Sequence, residues 1–125
     1  MEMECLFCQR ESLSVVLENE HAIGFFDKFP VQKGHLLFVP KRHFSSYFEA
    51  SEEELLSIHR LIHEGKRLVE QQHSPDGYNI GVNVGPQGGQ TVMHLHFHLI
   101  PRYKGDMEDP RGGIRKAIPN LVPYP

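Results

Sequence analysis

Three histidines alternate with apolar residues in the segment His94-Leu95-His96-Phe97-His98. Because side chains of a β-strand point alternately to its two faces, the spacing predicts three imidazoles on one face and core residues on the other. Successive histidine Cα atoms would lie about 6.5–7 Å apart, so one ion can be reached by two neighbouring rings but hardly by all three. An exposed face tolerates histidine without function, but the apolar opposite face indicates a central strand. The pattern therefore predicts that the three rings have different roles.

A glycine-rich loop, 85–91, leads into the histidine segment. Its glycines allow backbone N–H groups to converge on an anion, and Gln90 and Thr91 add side-chain hydrogen-bonding groups. Asn83, at the end of the preceding predicted strand, could reach the same anion. Most glycine-rich loops are only turns, but beside three histidines this one indicates a phosphate-binding site.

The elements that would position these residues follow from the hydrophobic pattern. A long helix is predicted from Ser51, which forms a capping-box pattern with Glu54, to the turn at 74–77. Compact or alternating apolar runs predict strands at 15–17, 22–26, 35–39, 78–84 and 91–100. Strands around one long helix predict an α+β fold with an antiparallel sheet, formed by a single domain over 1–125.

Composition narrows the class of protein. The chain has 125 residues, 39% of them hydrophobic, and a formal net charge of −3 at pH 7. No apolar run approaches the ~20 residues of a membrane span, and the acidic start does not resemble a secretory signal. We therefore expect a cytoplasmic protein without a membrane partner, and the net acidity argues against a nucleic-acid partner.

These motifs resemble a known family. Asn83-x-Gly85-x-x-x-Gly89-Gln90-Thr91-Val92-x-His94-x-His96-x-His98 is similar to the signature of the histidine triad (HIT) nucleotide hydrolases and transferases. Phe25-Phe26-Asp27-x-x-Pro30-x-x-x-Gly34-His35-x-Leu37, followed by Val39-Pro40-Lys41-x-His43, resembles the family's N-terminal half. The resemblance covers about residues 5–103, leaves 104–125 as a tail, and implies a HIT-like fold and a homodimer.

The resemblance also implies a mechanism. His96 would attack the α-phosphorus of a purine nucleotide and form a covalent nucleotidyl-histidine, which water then hydrolyses. Imidazole suits this role because it is substantially neutral near pH 7. His98 would stabilise charge on the same phosphate, and His35 would orient or polarise the His96 ring.

The remaining substrate contacts implied by the resemblance concern the phosphate, the ribose and the base. Asp27 would accept hydrogen bonds from the ribose hydroxyls. Phe25, Phe26 and Leu37 would surround the base, although alternation along a strand places one of the two phenylalanines in the core. The phosphate or leaving group would be held by Asn83, Gly89, Gln90 and Thr91.

The family divides by substrate. One branch cleaves dinucleoside polyphosphates such as diadenosine tetraphosphate, and we take this as the prediction; the alternative is a nucleoside phosphoramidate. Thr91 slightly favours the first branch, and Asn83 slightly favours the second. Magnesium could accompany the bound substrate.

The chain's two cysteines form a Cys5-x-x-Cys8 motif. A structural zinc needs four ligands, so two histidines would have to complete the set. Resemblance to some bacterial HIT proteins selects His43 and His94 and implies one structural zinc per chain. A redox pair would normally belong to a thioredoxin-like βαβ unit, which is not predicted here; two reduced thiols without metal are the other alternative.

Three rival functions stay open from the sequence. His-x-His on a strand also begins some catalytic zinc sites, which would make the chain a zinc-dependent metallohydrolase. A nucleic-acid-binding zinc finger has the same ligand types, but His43 and His94 lie too far along the chain for a local finger. A nucleotide-binding protein with little turnover is distinguished only by kinetics.

Overall fold

The computed structural model describes residues 5–118 as one antiparallel sheet with one helix. The strands lie in the order β1-β2-β3-β5-β4, and every neighbouring pair is antiparallel. In chain order the elements are β1 (Val15–Glu18), β2 (Ala22–Phe26), β3 (Leu36–Pro40), α1 (Glu52–Glu70), β4 (Gly77–Val82) and β5 (Phe97–Arg102). The predicted α+β class with one long helix is confirmed. Of the predicted tail, residues 119–125 lie outside the described residues.

Helix α1 begins at the predicted capping box and covers one face of the sheet. The Ser51 hydroxyl accepts the Glu54 N–H at 3.1 Å, and the Glu54 carboxylate accepts the Ser51 N–H at 2.9 Å. The buried core on this face comprises Ala22, Leu36, Phe38, Phe44, Ile58, Leu61, Val69, Leu95 and Leu99. Across residues 5–118, no helix is both long and apolar enough to span a membrane.

The N-terminal segment, residues 5–14, covers part of the opposite face of the sheet. It contains two short 3-10 turns, Leu6–Cys8 and Arg10–Ser12. The apolar cluster on this face comprises Leu13, Ile23, Phe25, Leu37 and Val39, with Phe7 and Val15 packed against it. Because both faces of β2 and β3 are covered, these strands are apolar almost throughout rather than alternating.

The strand predicted over 91–100 is shorter in the structure, since β5 begins only at Phe97. The preceding residues are irregular, and His94, Leu95 and His96 are all buried. The Leu95 N–H donates to the Phe44 carbonyl at 2.7 Å, and the His94 Nε2–H donates to the Pro40 carbonyl at 2.8 Å. The prediction that one strand carries all three histidines is therefore wrong, because His94 and His96 precede β5, although His96 and His98 do line the same cavity.

Candidate functional site

His96 lies immediately before β5, and one hydrogen bond sets its tautomer. Its Nδ1–H donates to the His94 carbonyl at 2.9 Å. Because a carbonyl oxygen only accepts, the proton of the neutral ring sits on Nδ1 and Nε2 carries a lone pair. The residue is 8% exposed and lines a cavity of about 320 Å³. An unprotonated imidazole nitrogen is thus available as a nucleophile beside this cavity.

His98 and His35 form a hydrogen-bonded pair across β5 and the start of β3. His35 Nδ1 accepts the Val31 N–H at 3.2 Å, so the His35 proton sits on Nε2 and is donated to His98 Nδ1 at 2.9 Å. His98 then carries its own proton on Nε2, which is a donor. The His98 ring lies next to the His96 ring, and the two ring centroids are 5.2 Å apart. The expected contact of His35 with the His96 ring is corrected: His35 bonds to His98, because His98 is the histidine that lies in the ladder beside β3.

Burial keeps this histidine pair neutral. Desolvation, followed by the nearby His96 and His35 rings, lowers the pKa of His98 to about 4, against a smaller opposing effect of Asp27. Desolvation also lowers the pKa of His35, partly offset by the Asp27 carboxylate, whose Oδ2 lies 3.6 Å from His35 Nε2. Both rings are neutral near pH 7, so the hydrogen-bond direction from His35 to His98 is maintained.

The lining of the cavity is mainly apolar, with a few polar groups. The Asp27 carboxylate is held at this cavity by the Phe29 N–H, which donates to its Oδ1 at 2.9 Å. The polar lining also includes Thr91, His96 and His98, and the apolar lining includes Leu6, Phe7, Leu13, Phe25 and Leu37. Phe26 instead packs against the α1 face of the sheet. An apolar cavity of this size with a few convergent polar groups is typical of a small-molecule site.

The buried side chain of Gln90 holds the glycine-rich loop in place through hydrogen bonds to the backbone. Gln90 is 3% exposed; its Oε1 accepts the Gly85 N–H at 2.9 Å, and its Nε2 donates to the Ser45 and Val92 carbonyls at 2.9 and 3.1 Å. Gly89 has a φ of +96°, and a Cβ at that position would lie 3.9 Å from the Asn83 amide. Asn83 and Gly89 are therefore neighbours, whereas the Gln90 amide is engaged by the backbone.

Four possible metal-ligand atoms, from Cys5, Cys8, His43 and His94, lie within 4.8 Å of one another. His94 Nδ1 lies 3.5 Å from each sulfur and 3.2 Å from His43 Nδ1, and Cys8 Sγ lies 3.3 Å from His43 Nδ1. Zinc bonds of about 2.3 Å to sulfur and about 2.0–2.1 Å to nitrogen place tetrahedral S and N ligands about 3.5 Å apart and two N ligands about 3.3 Å apart. The hydrogen bond from His94 Nε2–H to Pro40 leaves Nδ1 unprotonated, as a metal requires. These residues therefore fit a tetrahedral zinc ion.

Sequence reasoning missed the contribution of the N-terminal segment to the cavity. Leu6, Phe7, Ser12 and Leu13 all line it, although the sequence assigned only the cysteines of this segment a role. The signal was present in the spacing: Phe7 lies between two predicted metal ligands, and those ligands pair with His94, two residues from His96. Any ion that joins them brings Phe7 to the site.

Comparisons with known proteins agree with this geometry. The family model described as "HIT domain" matches residues 9–105. An uncharacterised HIT-like protein of Methanocaldococcus jannaschii is 42% identical over 120 residues, which cover 91% of each chain. An adenosine 5'-monophosphoramidase of Schizosaccharomyces pombe is 33% identical over 104 residues, covering 80% of this chain and 75% of the relative. A zinc-bound histidine triad family protein from Mycobacterium smegmatis has a TM-score of 0.77 and 30% identity, covering 87% of this chain and 82% of its own.

Proposed function

Because the chain belongs to the HIT family, we propose that it is a nucleotide hydrolase that works through a covalent nucleotidyl intermediate on His96. The observation that carries the proposal is the hydrogen bond from His96 Nδ1–H to the His94 carbonyl, which leaves an unprotonated Nε2 beside the cavity. The relative named as an adenosine 5'-monophosphoramidase supports a hydrolase that acts on nucleotides.

In this mechanism the base packs against the wall formed by Phe25 and Leu37, and the ribose hydroxyls donate to Asp27. The His96 Nε2 lone pair forms a bond to the α-phosphorus while the bond to the leaving group breaks. The leaving group departs with that electron pair and takes a proton from solvent. The His98 Nε2–H donates to a phosphoryl oxygen as its charge grows. Water then adds across the N–P bond, which releases the nucleoside monophosphate and restores His96.

The loop residues have separate parts in this proposal. Asn83, Gly89 and Thr91 contact the phosphate or the leaving group. Gln90 acts indirectly, because its amide closes the loop through the Gly85, Ser45 and Val92 backbone. His35 likewise acts through His98, whose tautomer it sets.

The substrate that we propose from the resemblance is a dinucleoside polyphosphate, and the phosphoramidase relative favours a nucleoside phosphoramidate as the second candidate. A chromatographic product profile separates them. Diadenosine tetraphosphate and adenosine phosphoramidate are supplied in parallel, with and without magnesium. AMP with ATP from the first identifies a polyphosphate hydrolase; AMP and ammonia chiefly from the second identifies a phosphoramidase.

His96→Ala tests the nucleophile. We expect kcat to fall by about 10³-fold or more, because no other group replaces the Nε2 lone pair, while AMP binding by calorimetry is retained. His59→Ala, at an exposed position of α1, is the matched control and should keep full activity. Activity of His96→Ala within about tenfold of the parent would contradict the assignment.

A metallohydrolase is the second candidate function, since one ligand atom each from Asp27, His35 and His98 also lie within 4.8 Å of one another. The 2.9 Å hydrogen bond between His35 and His98 argues against it, because a metal would have to displace the shared proton. Acid quenching followed by mass spectrometry separates the two mechanisms. A trapped nucleotidyl-protein supports the covalent route, whereas immediate loss of turnover on chelation, in a folded protein without an adduct, supports the metal.

We also propose one structural zinc per chain, held by Cys5, Cys8, His43 and His94. The donor spacing and the zinc-bound relative support it. Four protein ligands leave no open position, so this ion would stabilise structure rather than activate water. Elemental analysis of protein purified without chelators should find about one zinc per chain, and none in Cys8→Ser; a metal-free parent would contradict the site.

From the resemblance and the composition we propose that the chain forms a homodimer and is cytoplasmic. We also propose that it has no nucleic-acid or membrane partner. Sedimentation equilibrium tests the homodimer, which predicts twice the 14.4 kDa mass of the chain.

A further inference from the structure

The four residues Cys5, Cys8, His43 and His94 are called the cysteine–histidine cluster below. Phe7 lies between this cluster and the cavity. It is the middle residue of the 3-10 turn Leu6–Cys8, and it lines the cavity. Its ring centroid lies 5.5 Å from that of Phe25, 6.2 Å from that of His94 and 5.0 Å from that of His96, with the two histidine rings edge-on. One side chain thus contacts a wall of the cavity, a metal ligand and the proposed nucleophile.

The N-terminal segment is attached to the rest of the molecule mainly through side chains. The backbone N–H groups of Cys8, Gln9, Ser12 and Leu13 all donate to carbonyls three residues earlier, within the segment itself. Buried Leu13 anchors one end of the segment, and the cysteines meet the two cluster histidines at the other. Hydrogen bonds within the segment do not fix the position of the first turn on the sheet, whereas the cluster and the packing of Phe7 on Phe25 both contribute to it.

We propose that metal occupancy of the cysteine–histidine cluster sets the affinity of the cavity for its nucleotide, and that Phe7 is the positioning residue that connects them. The inference rests on the proposed nucleotide hydrolase function. An ion held by the cluster would join the turn that carries Phe7 to His43 and His94, and it would thereby position the aromatic wall before substrate arrives. Without the ion the wall must be ordered when the nucleotide binds, and that entropy cost lowers affinity.

A second link runs through the backbone of His94. Its Nδ1 belongs to the cluster, while its carbonyl accepts the His96 Nδ1–H at 2.9 Å. Fixing the His94 side chain therefore also fixes the acceptor that orients the His96 ring. The signals of that ring are expected to report metal occupancy even when no nucleotide is present.

The experiment compares full-length zinc-loaded and chelator-treated protein for three chains: the parent, Phe7→Ala and Phe48→Ala. Phe48 is 82% exposed and serves as the matched control. Calorimetry measures the Kd for AMP. In the parent and in Phe48→Ala, chelation should weaken AMP binding about fivefold to tenfold, the worth of a well-packed aromatic contact. Zinc-loaded Phe7→Ala should bind equally weakly, and chelation should then change its Kd by less than about twofold.

Two outcomes would overturn the proposal: chelated parent that binds AMP as tightly as the zinc-loaded form, or a chelation effect of the same size in Phe7→Ala. If circular dichroism shows that the chelated chain unfolds, the test compares zinc-loaded Phe7→Ala with the zinc-loaded parent. Equal AMP affinity of these two chains would overturn the role of Phe7.

NMR of the Phe25 ring, which contacts Phe7 and lies outside the link through His94, separates this inference from the proposed function. If zinc-loaded parent does not bind AMP, the nucleotide hydrolase is contradicted. A Phe25 ring signal that shifts on chelation in the parent, and shifts much less in Phe7→Ala, would still support the link through Phe7; an equal shift in both would refute it.

Discussion

At the residue scale, each central imidazole has one nitrogen fixed by a hydrogen bond, and that bond decides what the other nitrogen does. His94 donates from Nε2 to a carbonyl, which leaves Nδ1 for the cysteine–histidine cluster. His96 donates from Nδ1 to a carbonyl, which leaves Nε2 as a lone pair at the cavity. His98 accepts at Nδ1 from His35, so its Nε2 remains a donor. In the proposed function, one residue type thus supplies a ligand, a nucleophile and a donor, because its neighbours select the tautomer.

The lowered pKa of His98 predicts a pH-dependent stability. The pKa is about 4 in the folded chain, against 6.5 for an unperturbed histidine. Between these values the unfolded chain binds a proton that folded His98 does not, so the free energy of unfolding falls as the pH falls through that window. We expect a loss of about 1–2 kcal/mol from His98 between pH 7 and pH 5, measured by urea unfolding.

His98→Asn is the control for this titration. Its loss of stability between pH 7 and pH 5 should be smaller than in the parent, with a remainder from His35, whose pKa is lowered in the same direction. Equal losses in both chains would show that His98 titrates normally in the folded state.

At the scale of elements, the contact between α1 and β3 supports the strand that carries Leu37 into the cavity. Gly65 is buried in α1 opposite Phe38, and a Cβ there would lie 2.6 Å from Phe38 Cζ and 3.0 Å from Leu36 Cδ1. The absence of a side chain at this position is therefore what lets the helix lie close to the sheet.

Gly65→Ala is expected to destabilise the protein by about 1–3 kcal/mol, although alanine is the better helix former by about 1 kcal/mol. The clash with Phe38 outweighs the helix propensity because Phe38 is fully buried and cannot move aside. Urea denaturation of the parent and the variant measures the difference. Gly77→Ala is the matched control, since nothing lies within 4 Å of its added Cβ. Equal stability of Gly65→Ala and the parent would contradict this packing argument.

The same scale shows what the sequence could predict. The Ser51 capping box, the helix and the apolar runs of β2 and β3 are local patterns, so each was located to within a few residues. Residues 91–96 were misassigned because the bonds that draw them from the ladder go to Phe44 and Pro40, which are remote in sequence. Phe7 was missed for the same reason: its partners lie on other elements. The proposed zinc ligands, two of which lie in the N-terminal segment, were reached only through the family resemblance.

At the scale of the whole molecule, the cysteine–histidine cluster joins three parts of the chain. Cys5 and Cys8 belong to the N-terminal segment, His43 follows β3, and His94 precedes β5. The largest apolar cluster lies on the opposite, α1 face of the sheet and contains none of these ligands. The proposed zinc and the core beneath α1 would therefore be separate sources of stability, located on different faces.

This separation predicts a partial response to zinc removal. Chelation should lower the free energy of unfolding by about 3 kcal/mol or more, because an ion that binds only the folded chain stabilises it by mass action. The helical signal in circular dichroism should persist without denaturant, since α1 packs on the other face. Hydrogen exchange should accelerate most in residues 5–14.

Cys8→Ser, which lacks one ligand, should show a smaller response to chelator than the parent. Equal urea midpoints for zinc-loaded and chelated parent would contradict a stabilising ion, whereas loss of the helical signal would show that the two faces do not stand independently.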